Sequence, residues 1–301
     1  MLGMRLAIGV PMVAGFVACL WLDEYLAPWY PFWLATAAVV LGRAALELVG
    51  LLSATGARPS GNTVFGGTMA IIAANWAPHV VGYLGRTPAT FETAPYNFAW
   101  PSQVLSWPLW AFVAVVMFAF IAQSAQFDRP GGTMAAIGGT VLAVAYIGLL
   151  SSFVLQFRWL DDGVIPLAAL VAVAKGSDTG AYTLGRLAGR HKLWPRLSPN
   201  KTVEGALGGL VTGVLAALAV FGAARWLLRI PTLSPIEAAG FGLVVGSAAQ
   251  LGDLMESMIK RDCARKDASA ILPGFGGVLD VLDSLLFAGP VAYGYWLLFG
   301  P

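Results

Sequence analysis

The stretch SMIKRDCARKDASAILPGFGGVLDVLDS, from Ser257 to Ser284, lies where two apolar runs meet, one near 236–259 and one near 280–299. Each run has the roughly 20 residues that a helix needs to cross the hydrocarbon of a bilayer. A charged segment joining two such runs reads as a loop at a membrane surface. The same alternation recurs along the chain, with further candidate spans near 6–22, 29–51, 65–84, 104–124, 133–157, 163–182 and 204–227. The spacing therefore predicts an all-α polytopic integral membrane protein with about nine transmembrane helices. Residues 1–160 form its N-terminal helices, and 161–301 form a C-terminal region that holds the polar clusters.

Composition agrees. Of 301 residues, 58% are hydrophobic and 11% charged, whereas a soluble domain carries about 25% charged residues. Too little polar surface exists to cover a soluble fold. A net charge of +2 argues against a nucleic-acid partner. Cys19 sits in the first apolar segment and Cys263 in the charged stretch, which argues against a disulfide. His79 and His191 are the only histidines, too few for a Cys/His zinc site. Apolar residues continue past Cys19 through Leu20, Trp21 and Leu22, so the first segment reads as a helix rather than a cleaved leader. Leu84 to Gln103, rich in proline and threonine, reads as a linker.

Orientation follows from lysine and arginine in short loops. Arg186, Arg190, Lys192, Arg196 and Lys201 lie between the sixth and seventh spans. Lys260, Arg261, Arg265 and Lys266 lie between the eighth and ninth. Nine spans put both loops on one side, the cytoplasmic one, together with Arg5, Arg58 and Arg129. Glycines four apart at Gly205, Gly209 and Gly213, and at Gly242 and Gly246, read as helix-packing stripes. No long internal repeat supports the inverted halves of a secondary transporter.

Three clusters can carry chemistry. Asp280 and Asp283, three apart, share one helix face. Paired acids in a membrane helix need compensation, and carboxylate oxygens are what a hard divalent cation prefers. A helix start at the interface, where aspartates suit the helix dipole, is the plainer alternative. Asp253, Ser257 and Lys260 form a polar stripe on the preceding span, with Glu256 at its flank. Lys260 and Arg261 border the cytoplasm, where loss of a solvated cation costs little stability. Gly274, Gly276 and Gly277 precede the last helix, where a tight turn can offer main-chain N–H groups to an anion. No P-loop motif is present. The third cluster holds Asp178, Tyr182 and Arg186 on one helical face, then Ser198, Lys201 and Thr202. Hydroxyls and cations of this kind ahead of a helix suit a polyphosphate.

At these residues the chain resembles the phosphatidate cytidylyltransferases, also called CDP-diacylglycerol synthases. Their signature reads S-x-x-K-R-x(4)-K-D and then P-G-H-G-G-x-x-D-R-x-D. Ser257, Lys260, Arg261, Lys266, Asp267, Pro273, Gly274, Gly276, Gly277, Asp280 and Asp283 match it in residue and spacing. Upstream, Gly252-Asp253 with Glu256-Ser257, Asp178 with Ala181-Tyr182, Gly185-Arg186, and Ser198-Pro199 through Gly205 are similar too. The resemblance covers about residues 175–287. It departs at Phe275, where the signature has histidine, and at Val281, where it has arginine. Asn200 stands where lysine is common.

The resemblance implies a magnesium-dependent transfer from CTP to phosphatidate at the cytoplasmic face of the cell membrane. It implies Asp253, Asp280 and Asp283 as metal carboxylates, with room for a second cation, and a homodimer. On that footing Lys260, Arg261 and Lys266 neutralise triphosphate and lipid phosphate, and Ser198, Lys201 and Thr202 contact the nucleotide. Asp178, Tyr182, Arg186, Ser257, Gly276 and Gly277 line the substrates. Phe275 is expected to act as an apolar wall, and Arg265 to replace the charge absent at Val281. Other readings are transfer to a prenyl or ether lipid phosphate, a CTP-dependent polyprenol kinase, a transporter, or an inactive scaffold.

Overall fold

A computed structural model describes the backbone of residues 2–84, 101–128, 130–271, 274 and 276–301, and the side chains of 9–81, 105–128, 130–271, 274 and 276–301. Most of the predicted linker, Arg129, Pro273 and Phe275 lie outside the described residues, as does the side chain of Arg5. The helices are α1 (Leu2–Glu24), α2 (Pro31–Ser53), α3 (Gly61–Leu84), α4 (Pro101–Ser124) and α5 (Thr133–Val144). The last runs through a π turn, Ala145–Leu149, into α6 (Leu150–Gln156). A 3-10 turn, Phe157–Trp159, leads to α7 (Val164–Ala188). After the strands β1 (Lys192–Trp194) and β2 (Ser198–Thr202) come α8 (Val203–Trp226), α9 (Pro235–Asp262) and α10 (Val278–Phe299).

Among the described residues, eight segments are long and apolar enough to cross a membrane. The predicted first span, 6–22, is helical as well, within α1. The chain is an all-α multi-pass membrane protein. Its one local surprise is the antiparallel pair β1–β2, where Lys192 faces Thr202 and Trp194 faces Ser198. The sequence there reads as a loop. Proline at 195 and 199 and the bond from Leu197 N to Trp194 O (3.2 Å) turn it into a hairpin.

The chain divides into two compact units. The first comprises Met1–Leu155 with Asp267–Leu279, and the second comprises Gln156–Lys266 with Asp280–Pro301.

In the first unit, a buried side chain caps the start of α2. Asp23, fully buried, accepts from the main-chain N–H groups of Phe32 (3.0 Å) and Trp33 (2.5 Å). Those are donors that the start of α2 leaves without an intrahelical partner, and Pro31 removes one more of them. Asn75 of α3 donates to Ser152 of α6 (2.9 Å). Glu47 of α2 is buried and holds the end of the 267–279 segment. Its Oε1 accepts from Ser269 Oγ (2.7 Å) and its Oε2 from Leu279 N (2.9 Å), with Arg43 beside it at 3.4 Å.

In the second unit, small residues set the helix spacing. A β-carbon added at Gly205 would lie 2.7 Å from the carbonyl oxygen of Ala181, and one at Gly209 would lie 2.8 Å from that of Ser177. Backbones therefore pack at a distance only glycine permits, as the stripe predicted for α8 requires. Thr212 Oγ1 donates across the same seam to Gly176 O (2.9 Å). Gln250 of α9 bonds both neighbours at once, Ser177 Oγ of α7 and Ala206 O of α8, each at 3.0 Å. Toward the other end, Phe221, Phe241, Tyr295 and Trp296 pack ring against ring.

Candidate active site

Helix α9 starts at a capping box. Ser234 accepts from Glu237 N, and Glu237 accepts from Ser234 N. Its far end carries Asp253, Glu256 and Lys260. These lie three and four residues apart, so they share a face. That face meets α10 at Gly252, where a β-carbon would lie 2.6 Å from the carbonyl oxygen of Asp283 and 2.9 Å from Phe287 Cβ. The glycine lets the two acidic segments come together. One carboxylate oxygen from each of Asp253, Glu256 and Asp283 lies within 4.8 Å of the others.

Each acid is held differently. Glu256 is fully buried, and the ammonium of Lys260 sits against its Oε2. Lys260 also donates to Asp280 Oδ1 at 2.6 Å. Asp283 is buried, and its Oδ1 accepts from the N–H (2.5 Å) and the hydroxyl (2.9 Å) of Ser284. Asp253 is half-buried, with Lys201 Nζ 2.6 Å from its Oδ2.

Lys201 reaches Asp253 because the hairpin feeds straight into α8. Thr202 is the N-cap, its Oγ1 accepting from Gly205 N (3.1 Å). Glu204, in the first turn, accepts from Arg190 N (3.0 Å) and bonds the His191 ring (2.6 Å), which ties the loop back onto the helix. On α7, Asp178 pairs with Lys175 at 3.4 Å. The same ammonium donates to Val281 O (3.0 Å) and Ser284 Oγ (3.3 Å) of α10.

Six of the sequence candidates converge here. Asp253, Asp280, Asp283, Lys260, Lys201 and Asp178 are joined by short contacts within the second unit. Ser257 is half-buried on α9, and Thr202 is buried in its capping role. Ser198 is half-buried on β2. Tyr182 and Arg186 are exposed and bond each other at 3.3 Å. Arg261 is exposed and donates to Leu197 O (3.4 Å) and Arg265 O (3.2 Å), and Lys266 is exposed. Gly276 has φ +95°, a turn conformation that suits glycine, and Gly277 packs against Glu47, both in the first unit.

The geometry also differs from expectation. Lys260 was expected at a solvated border, yet it is buried between two carboxylates. Asp280 faces that lysine, and Glu256 joins Asp253 and Asp283 in the three-acid cluster. Arg265 is exposed, whereas the cation that reaches residue 281 is Lys175. Lys175, Glu256 and Gln250 are the residues that sequence reasoning missed as parts of the site or its supports. For Glu256 a signal existed, since it follows Asp253 at the same spacing as Asp283 follows Asp280.

The donor set fits a hard divalent cation. All three clustered groups are carboxylates, and Glu256 is fully buried with the Lys260 ammonium against one oxygen. Formally, five carboxylates (Asp178, Asp253, Glu256, Asp280, Asp283) meet three ammonium groups (Lys175, Lys201, Lys260). Such a surplus of negative charge is costly in a membrane unless a further cation offsets it.

Comparison with known proteins gives a consistent result. The sequence pattern described as the Cytidylyltransferase family matches residues 3–299. A protein of Staphylococcus saprophyticus named phosphatidate cytidylyltransferase is 40% identical over 156 residues, 50% of this chain and 55% of that protein. One of Bacillus subtilis with the same name is 41% identical over 164 residues, 54% of this chain and 59% of that protein. The chain spans little more than half the length of these curated relatives.

Proposed function

The chain belongs to the Cytidylyltransferase family, and from that premise we propose that it is a phosphatidate cytidylyltransferase. It joins CTP and phosphatidate into CDP-diacylglycerol and releases pyrophosphate. The observation that carries this reading is the cluster of Asp253, Glu256 and Asp283, flanked by Lys201 and Lys260.

A phosphate oxygen of the lipid attacks the α-phosphorus of CTP. A new P–O bond forms, the bond from the α-phosphorus to the bridging oxygen of the β-phosphate breaks, and pyrophosphate leaves with that electron pair. The attacking phosphomonoester is largely dianionic at neutral pH, its second pKa being about 6, so little proton transfer is needed. What remains is to bring two anions together and to stabilise charge on the leaving group. Asp253, Glu256 and Asp283 would hold magnesium, which when bound supplies positive charge to the phosphoryl oxygens. Lys201, on the hairpin strand that leads into α8, reaches Asp253 of this cluster and pairs with nucleotide phosphate. Lys260 keeps Glu256 and Asp280 in place. The site faces the cytoplasm of the cell membrane, a reading supported by the basic residues of the 186–201 and 260–266 segments.

The test is an assay of the purified protein with CTP, magnesium and a panel of lipid phosphates, including phosphatidate, an ether analogue and a prenyl phosphate. CDP-diacylglycerol and pyrophosphate in equal amounts are expected with phosphatidate. Turnover confined to another lipid phosphate, or transfer of the γ-phosphate, would overturn the assignment.

A further inference from the structure

Lys175 occupies an otherwise apolar stretch of α7, where a charged side chain is costly and calls for a use. Its ammonium has three N–H donors and no acceptor. They meet Val281 O at 3.0 Å, Ser284 Oγ at 3.3 Å and Asp178 Oδ2 at 3.4 Å. One of these contacts constrains the chemistry beyond it. A hydroxyl oxygen that receives an ammonium proton accepts there, so its own proton must be given elsewhere. For Ser284 the acceptor at hand is Asp283 Oδ1, 2.9 Å away. Ser284 N reaches the same oxygen at 2.5 Å. Oδ1 thus takes two donors, which hold the Asp283 carboxylate in one orientation beside Asp253 and Glu256.

We propose that Lys175 is a positioning residue of the reaction, fixing the orientation of the Asp283 carboxylate through Ser284. A second observation points the same way. Val281 stands where the family signature has arginine, and Lys175 brings a cation to the main-chain carbonyl of that residue from a different helix. The charge absent from α10 is supplied by α7.

This inference rests on the reading that Asp253, Glu256 and Asp283 hold a divalent cation, and the experiment separates the two. Mn2+ serves as the probe, its binding to the detergent-solubilised full chain followed by the EPR signal of the free ion. Steady-state kinetics with CTP and phosphatidate are run alongside. Wild type should bind Mn2+, and Asp283→Asn should abolish binding at the cluster. Lys175→Met should weaken Mn2+ by about tenfold, as loss of an outer-shell partner does, and should lower kcat by a similar factor while KM for CTP changes little. Ser284→Ala should reproduce both effects. The double variant should be no worse than either single one, because both act along one path. Lys175→Arg should recover part of the loss.

A lysine acting only as nearby charge predicts the opposite sign, since removing a cation beside the acids tightens Mn2+. A lysine that is only structural lowers the thermal midpoint and leaves the Mn2+ affinity of the folded protein unchanged. Either result, or additive losses in the double variant, overturns the proposal. Should Lys175→Met not be recovered folded, Ser284→Ala and Lys175→Arg carry the same readouts. A wild type that binds no Mn2+, or binding indifferent to Asp283→Asn, refutes the underlying metal reading and the positioning role with it.

Discussion

Replacing Gly252 by alanine adds one methyl group at the point where α9 meets α10. Its carbon would lie 2.6 Å from Asp283 O, 2.9 Å from Phe287 Cβ and 3.3 Å from Ser284 Cα. Two of these neighbours are main-chain atoms and the third is the first atom of a side chain, so no rotamer change makes room. Ordinary contact begins near 3.4 Å, so the helices must part locally by roughly 0.8 Å. A catalytic constellation tolerates displacement of about 0.5 Å, and a misplacement near 1 Å costs on the order of 100-fold in rate. Gly252→Ala should therefore lower kcat/KM by about 10- to 100-fold. Overpacking should also cost ~1–3 kcal/mol of stability. Gly222→Ala and Gly294→Ala are the controls, because a β-carbon at either meets nothing within 4 Å. Both should keep wild-type kinetics, and better helix propensity should stabilise each by up to ~1 kcal/mol. The assay is release of pyrophosphate from CTP and phosphatidate, normalised to monodisperse folded protein. Wild-type kcat/KM in Gly252→Ala would show that the close approach at Asp283 has no bearing on turnover.

Three further outcomes are expected. Glu256→Gln should lower turnover as severely as Asp253→Asn or Asp283→Asn, by at least the ~10- to 100-fold that loss of an outer-shell partner costs; near-normal activity would remove Glu256 from the cluster. Lys260→Met should lose folded yield as well as activity, because it removes the cation beside the fully buried Glu256 carboxylate, a loss of ~3–5 kcal/mol; a stable but inactive variant would return Lys260 to substrate binding alone. Cysteine introduced at Lys192 on the hairpin should react with an impermeant maleimide in inverted vesicles and not in intact cells; labelling from outside would reverse the topology.

The spans were legible because each depends on its own residues. A run of about 20 apolar residues must cross as a helix whatever its neighbours are, since no backbone group can be left unpaired in hydrocarbon. Hence predicted and observed helices agree closely, for example 204–227 against Val203–Trp226 and 280–299 against Val278–Phe299. The carboxylates were legible for a related reason. Asp253, Asp280 and Asp283 stand out in apolar helices where acids are costly, and their spacing shows which of them share a face.

Pairings between helices were not legible, because they depend on how far each helix is rotated and how closely it can approach. Glu256 looked peripheral to the stripe through Asp253 and Lys260, but the Gly252 contact turns it inward, where it is fully buried. Lys260 looked solvated at a helix end, yet α10 brings Asp280 to it. Lys175 belongs to none of the sequence clusters, yet α7 packs where its ammonium meets Val281 and Ser284, 106 and 109 residues away. Sequence alone determined a multi-pass helical membrane protein with acids and cations gathered in its C-terminal half, since hydropathy and spacing act locally. Only the tertiary structure decided which acid stands beside which, because ion pairs and ligand clusters form between helices that glycine contacts bring together.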